Sequence, residues 1–176
     1  ELIKKVITRV EDGVLTITYD LNVVDWSGLG WISAENRLRY IITVKELDQL
    51  TLGGAGVIHV EELIGDSLKL NHSGLGLLNI TGLNVHELEV ILGGLGEVRL
   101  AGHVHTQVVA LSGGGSYQAV GLCSQEADVT LTGAGSAKVW VEERLKASVS
   151  GAGNILYQGE PQVDESVSGL GGVKPL

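Results

Sequence analysis

His103-Val104-His105 carries the residues most able to do chemistry. Residues two apart on a strand point to the same side, so both imidazoles face one way as a potential metal-ligand pair. A third ligand has to come from a neighbouring stretch, and no Cys or acidic residue obviously completes the set. Two solvent-facing or hydrogen-bonding histidines are expected instead, with no metal and no cofactor. His59 falls at an outward polar position. His72 falls at an apolar one, where a buried, hydrogen-bonded histidine is expected, and His86 has no visible partner. A polysaccharide-cleaving site needs a carboxylate pair, or a cation beside acids, in a cleft. Glu142-Glu143 and Asp164-Glu165 are the acidic candidates. Adjacent strand residues face opposite ways, so solvated acids and no catalytic residue are expected. Cys123 is the single cysteine, which allows no internal disulfide. A small, buried apolar role is expected of it.

The glycines offer a phosphate-loop reading. Gly-x-Gly recurs with second glycines at Gly56, Gly76, Gly96, Gly115, Gly135, Gly153 and Gly171, in steps of 20, 20, 19, 20, 18 and 18 residues. No copy has a third glycine at dinucleotide spacing or a following Lys-Ser or Lys-Thr, and none opens a helix. Regular recurrence marks a structural repeat.

The elements that position these residues follow from columns aligned on the first glycine of each unit. Two before it stand Leu52, His72, Leu92, Leu111, Leu131, Val149 and Val167. Four after it stand Ile58, Leu78, Val98, Tyr117, Ala137, Ile155 and Val173. Six after it the column is again largely apolar, from Val60 and Ile80 to Tyr157 and Pro175. Five after it the column is mostly polar: His59, Asn79, Arg99, Gln118, Lys138, Leu156 and Lys174. Apolar columns flanking a polar one at period two describe half-buried strands. Later in the units, Leu88 with Val90, Ala127 with Val129, and Leu145 with Ala147 offer a second apolar pair.

Units of about 20 residues made of strand and turn must stack to bury a face. A meander of hairpins would also repeat the motif on one side. Recurring columns favour a parallel β-helix instead, with rungs about 4.8 Å apart. The small-Gly-x-Gly corner fits a bend where stacked backbones leave no room for side chains. About seven rungs are expected over residues 47–176. Residues 1–46 are expected to hold a hairpin, Leu2–Val10 and Val14–Tyr19 around Asp12-Gly13, and a lead-in strand at Leu38–Val44. Residues 20–36, with Trp26, Trp31 and Gly28-Leu29-Gly30, read as a loop. The whole chain, 1–176, is expected to be one domain.

Composition sets limits on partners. The net charge of -9 argues against nucleic acid and anionic membrane surfaces, which need a basic footprint. No apolar run approaches the roughly 18 residues of a membrane span, so membrane insertion is not expected. The chain begins at Glu1 and contains no Met, so we expect a processed or trimmed product.

Ser150-Gly151-Ala152-Gly153 and Ser168-Gly169-Leu170-Gly171, the segment Val10–Ile17, and Tyr40–Leu47 with Leu50-Thr51-Leu52 together resemble a bacterial family, the "putative auto-transporter adhesin, head GIN domain" family. The similarity covers nearly the whole chain. It implies an all-β fold, a right-handed parallel β-helix with an N-terminal hairpin, further strands upstream in a native N-terminal portion missing here, and a role at the cell surface. It implies no catalytic residues. The residue between the glycines is usually Ser in that family. Here it is Ala55, Leu75, Leu95, Gly114, Ala134, Ala152 and Leu170.

If those residues point outward, Leu75 and Leu95 align beside Ala55 as an apolar ridge, a feature that often marks an interface. We therefore expect a non-enzymatic secreted or cell-envelope module that adheres or self-assembles through protein contacts at Ala55, Leu75, Leu95, Ala134, Ala152 and Leu170. The partner is a second copy or another surface protein. The alternative is a carbohydrate-binding or polysaccharide-cleaving β-helix, with glycan as partner. Open helix ends expose strand edges, and Lys174 and Pro175 read as a cap on one of them. The sequons Asn71-His72-Ser73 and Asn79-Ile80-Thr81 place both asparagines outward.

Overall fold

The computed structural model describes residues 6–19 and 39–176. Trp26, Trp31 and the Gly28-Leu29-Gly30 stretch lie outside the described residues. The chain forms two compact units, Glu1–Thr43 and Val44–Leu176.

In the first unit, β1 (Val6–Glu11) and β2 (Val14–Tyr19) pair antiparallel. Glu11 faces Val14 across a two-residue loop. Asp12 and Gly13 both have positive φ, 49° and 79°, which gives the loop the twist that a hairpin needs. The lead-in strand expected at Leu38–Val44 does not form over residues 39–44. Ile41, Ile42 and Val44 are exposed there. Strand propensity works through packing on neighbours, and without a ladder it fixes no strand.

The second unit is a parallel β-solenoid of about six turns, close to the expected seven. It begins with β3 (Gln49–Leu52), β4 (Ala55–Val60), β5 (Leu63–Ile64) and β6 (Ser67–His72). Four long strands follow: β7 (Leu75–Leu92), β8 (Glu97–Leu111), β9 (Ser116–Leu131) and β10 (Ser136–Val149). The stack ends in β11 (Asn154–Gln158), β12 (Gln162–Val167) and β13 (Gly172–Pro175).

Each full turn has three walls. The first follows a Gly-x-Gly corner, as in Leu77–Ile80 of β7 stacked on Val57–Val60 of β4. The second is short, as in Leu83–Val85 stacked on Gly102–Val104 of β8. The third leads to the next corner, as in Glu87–Leu92 stacked on Thr106–Leu111. The long strands bend between walls where the register slips, at Ile80/Leu83, Arg99/Ala101, Val139/Trp140 and Val141/Arg144.

The period-two columns are observed as inside and outside. Leu78, Val98, Tyr117, Ala137 and Ile155 stack in the core, as do Ile80, Leu100, Ala119 and Val139. Leu92, Leu111, Leu131 and Val149 supply the third wall. One continuous core of branched aliphatics results, and each buried side chain of this size contributes about 1.5–3 kcal/mol through removal from water.

The corners show why glycine is needed twice. A Cβ on Gly133 would land on the carbonyl oxygen of Gly113 one rung earlier. A Cβ on Gly135 would meet the carbonyl of Gly115 in the same way. The ladder runs unbroken through the bend: the amide of Ala134 donates to Gly113 O at 3.1 Å and that of Ser136 to Gly115 O at 3.1 Å.

Candidate interaction surface

The residue held between the two glycines has its own amide tied to the rung below. Leu75 N donates to Gly54 O at 3.2 Å, and Leu170 N donates to Gly151 O at 3.0 Å. With both neighbours pressed against backbone, its Cβ is left pointing to solvent. All seven central residues are exposed. Leu75 is 57% exposed, Leu95 71% and Leu170 94%. Ala55 and Leu75 are register partners. A Cβ on Gly114 would lie 2.9 Å from Leu95 Cδ2, so the Leu95 side chain leans over the one position where the column lacks a side chain. Ala134 and Ala152 continue the line. The corner residues thus form an outward apolar column.

Inside the same corners, His72 is fully buried. Its Nδ1 lies 3.2 Å from Leu52 O and its Nε2 3.2 Å from Gly76 O, so the ring bridges two rungs. A Cβ on Gly96 would collide with that ring, which explains the second glycine of the next corner. The expected buried, hydrogen-bonded histidine is what the structure shows.

The other histidines separate. His103 and His105 both face outward around buried Val104. His105 stacks instead on His86, with ring centroids 4.6 Å apart and planes 6° from parallel, so His86 has a partner after all. Among the described residues no group of three or more His, Cys, Asp or Glu side chains is arranged to hold a metal. His59 Nδ1 accepts from Asn79 Nδ2 at 3.0 Å, which occupies the amide of the second sequon.

Cys123 corrects its expectation. Leu122 and Ser124 take the buried positions, so period two turns Cys123 outward to a half-exposed site. Partial burial holds its thiol above the usual range, and a hydrogen bond to Glu142, with that carboxylate's charge, adds to the shift. Glu142 and Glu143 are both exposed.

The columns conceal one polar element. Gln107 is fully buried at a position where neighbouring rungs place Leu88 and Ala127. The Tyr117 hydroxyl donates to Gln107 Oε1 at 2.9 Å, Gln107 Nε2 donates to Ser124 Oγ at 2.7 Å, and Ser124 Oγ donates to the Trp140 carbonyl at 2.8 Å. The chain links all three walls through the core. The signal in the sequence was the interruption of an apolar column by Gln107.

On the third wall an open depression of about 480 Å³ is lined by Asp48, Lys69, Glu87, Glu89, Thr106 and Val108, among others. Lys69 Nζ holds both oxygens of Glu89 at 2.8 Å.

The chain matches the profile of the "putative auto-transporter adhesin, head GIN domain" family over residues 1–161. No match was found among curated proteins. Similar solved structures include a putative adhesin from Bacteroides fragilis, at TM-score 0.82 and 23% identity, over 99% of this chain and 78% of that one. A putative adhesin from Parabacteroides distasonis aligns at TM-score 0.66 and 23% identity, over 99% and 80%. A protein from the same organism titled a putative lipid binding protein aligns at TM-score 0.66 and 18% identity, over 99% and 80%. At these identities the neighbours share the fold. Through the match over 161 residues, the chain belongs to the putative auto-transporter adhesin, head GIN domain family.

Proposed function

We propose that this chain is a non-enzymatic adhesion module of the cell envelope or extracellular space, acting through protein–protein contact at its corner column. The family supports an adhesion-type role. The observation that carries the finer reading is the exposure of Leu75, Leu95 and Leu170 in one line with Ala55, Ala134 and Ala152. Side chains stacked on a backbone corner offer a partner apolar area to bury without a loop having to be ordered, which lowers one of the costs of association. The partner is a second copy or another surface protein that brings its own apolar strip.

Light scattering at high salt tests this, because apolar contact persists there while ionic contact is screened. Leu75→Ser with Leu95→Ser is expected to lower the scattering mass and to leave the thermal midpoint nearly unchanged, because both side chains are already in solvent. An unchanged mass overturns the ridge. The carbohydrate reading has less support: of the aromatic side chains described, Tyr117 is buried, Trp140 and Tyr157 are half-buried and Tyr40 is exposed, which does not make a row of aromatic platforms along the solenoid. Binding on a glycan array that survives the two leucine substitutions would favour it instead.

A further inference from the structure

The first and third walls of the solenoid carry opposite charge. The outward positions of the first wall hold Arg99, Lys138 and Lys174 against the single carboxylate of Glu97. The outward positions of the third wall hold Glu87, Glu89, Glu126, Asp128 and Asp164 against Lys69, Arg144 and Lys146. In a chain of net charge -9, a wall with a cationic surplus is a local exception.

The spacing is more telling than the surplus. Arg99 and Lys138 are the two register neighbours of Gln118, and Lys138 and Lys174 are the two register neighbours of Leu156. The three cations therefore stand in one column, every second rung. On the third wall Glu89 and Asp128 flank Val108, and Asp128 and Asp164 flank Lys146. Three carboxylates stand in one column, also every second rung. Both repeats are roughly 10 Å, two rung spacings. Two rigid rulers of opposite sign with the same pitch are self-complementary.

We infer that the first wall of one copy docks on the third wall of a second copy, with the solenoid axes parallel and an offset of one rung. That offset sets Arg99 opposite Glu89, Lys138 opposite Asp128 and Lys174 opposite Asp164. It sets Lys69 opposite Asn79 and Lys146 opposite Leu156, so no like charges meet along the two columns. Without the offset, Lys138 faces Lys146 and each of the three cations loses its carboxylate. The charge pattern thus specifies register as well as attraction, the role that complementary potentials play at interfaces. Lys138 and Lys174 have no ion-pair partner among the described residues. The pairs already present along the two columns, Arg99–Glu97 at 2.9 Å and Lys69–Glu89 and Lys146–Asp128 at 2.8 Å, lie at the surface and are weak enough to share their charges with a second copy. Small residues beside the columns, Ser116 and Ser136 on one wall and Ala110, Thr130 and Ser148 on the other, let flat walls approach closely. The contact joins two different surfaces, so each copy keeps one wall open and association continues past the dimer. This surface is separate from the corner column and does not depend on it.

Sedimentation velocity of the full chain at low and high salt tests the inference. The expected result is a concentration-dependent increase in mass at low salt that disperses as salt rises. Lys138→Glu and Asp128→Lys should each weaken association roughly tenfold, the scale of one well-placed charge pair. The protein carrying both substitutions should recover it, because the new Glu then faces the new Lys. Circular dichroism melts check that each variant is folded. A monomer at every concentration, association indifferent to salt, or a double variant no better than the singles overturns the inference. Leu75→Ser with Leu95→Ser should leave the salt-sensitive association intact, which separates this wall contact from the ridge. If Lys138→Glu abolishes binding of heparin and the double variant does not restore it, the cationic column serves a polyanion rather than a second copy.

Discussion

The hydroxyl of Tyr117 meets Oε1 of Gln107 at 2.9 Å across the centre of the solenoid, where both side chains are fully buried. The bond ties the first wall of one rung to the third wall of the rung before it, and Gln107 passes the tie to Ser124 on the second wall.

Tyr117→Phe should therefore cost about 1–3 kcal/mol, because it leaves a buried amide oxygen without its donor. Tyr117→Phe with Gln107→Leu should recover part of that loss, since both polar partners go together. Chemical denaturation at neutral pH measures each. Burial pushes the Tyr117 phenol far above its ordinary pKa of 10.0. The folded chain then keeps a proton that the unfolded chain releases. Stability from this group is complete below pH 10.0 and falls as pH rises beyond it, by about 1.4 kcal/mol per unit. The slope of stability against pH above that point should be shallower in Tyr117→Phe.

Two glycines in equivalent corners should respond differently. Gly133→Ala drives a Cβ into the Gly113 carbonyl and should cost about 1–3 kcal/mol or more, because the obstacle is backbone held in a ladder. A Cβ on Gly54 meets nothing within 4 Å, so Gly54→Ala should stay within about 0.5 kcal/mol of the parent. Thermal melts of the two variants make the comparison.

Cys123 should alkylate slowly at neutral pH despite its partial exposure, because burial and then Glu142 disfavour the thiolate. Glu142→Gln removes the carboxylate's charge. The pH–rate profile of iodoacetamide labelling should then shift to lower pH. A profile that does not move would contradict the contact.

His72→Leu should cost about 1–3 kcal/mol although it adds an apolar residue to an apolar column, because the carbonyl that accepts the ring N–H, Leu52 O or Gly76 O according to the tautomer, loses that donor. Hydrogen exchange should show the loss centred on the corner at Gly74–Gly76.

Most of the solenoid was readable because its physics is columnar. Leu78, Val98 and Ala137 repeat an inward position, and Asn79, Arg99 and Lys138 repeat an outward one, so averaging over rungs cancels local ambiguity. The same averaging hid the exceptions. Gln107 was a single polar residue in an apolar column, and its partners Tyr117 and Ser124 lie on other walls, at separations that no period connects. Cys123 was assigned from residue type, whereas its direction was decided by Leu122 and Ser124 on either side. The outward aim of Leu75 and Leu95 could be posed from the sequence but not decided, since it depends on which face of the bend meets the previous carbonyl. The opposed charge columns needed the walls to be assigned before their pitches could be compared. At Leu38–Val44 the residues favoured a strand, but propensity names a candidate and only a neighbouring ladder makes one.

The corner glycines carry a direction. At Gly74, Gly94, Gly113, Gly133, Gly151 and Gly169, the missing Cβ would strike the rung that precedes, never the one that follows. Each rung is thus fitted to a surface that left the ribosome before it. A chain emerging from its N-terminal side can lay every new turn on a finished template, and a substitution at one corner spoils the seating of that turn without disturbing those already laid. The stack is built to be written in one direction.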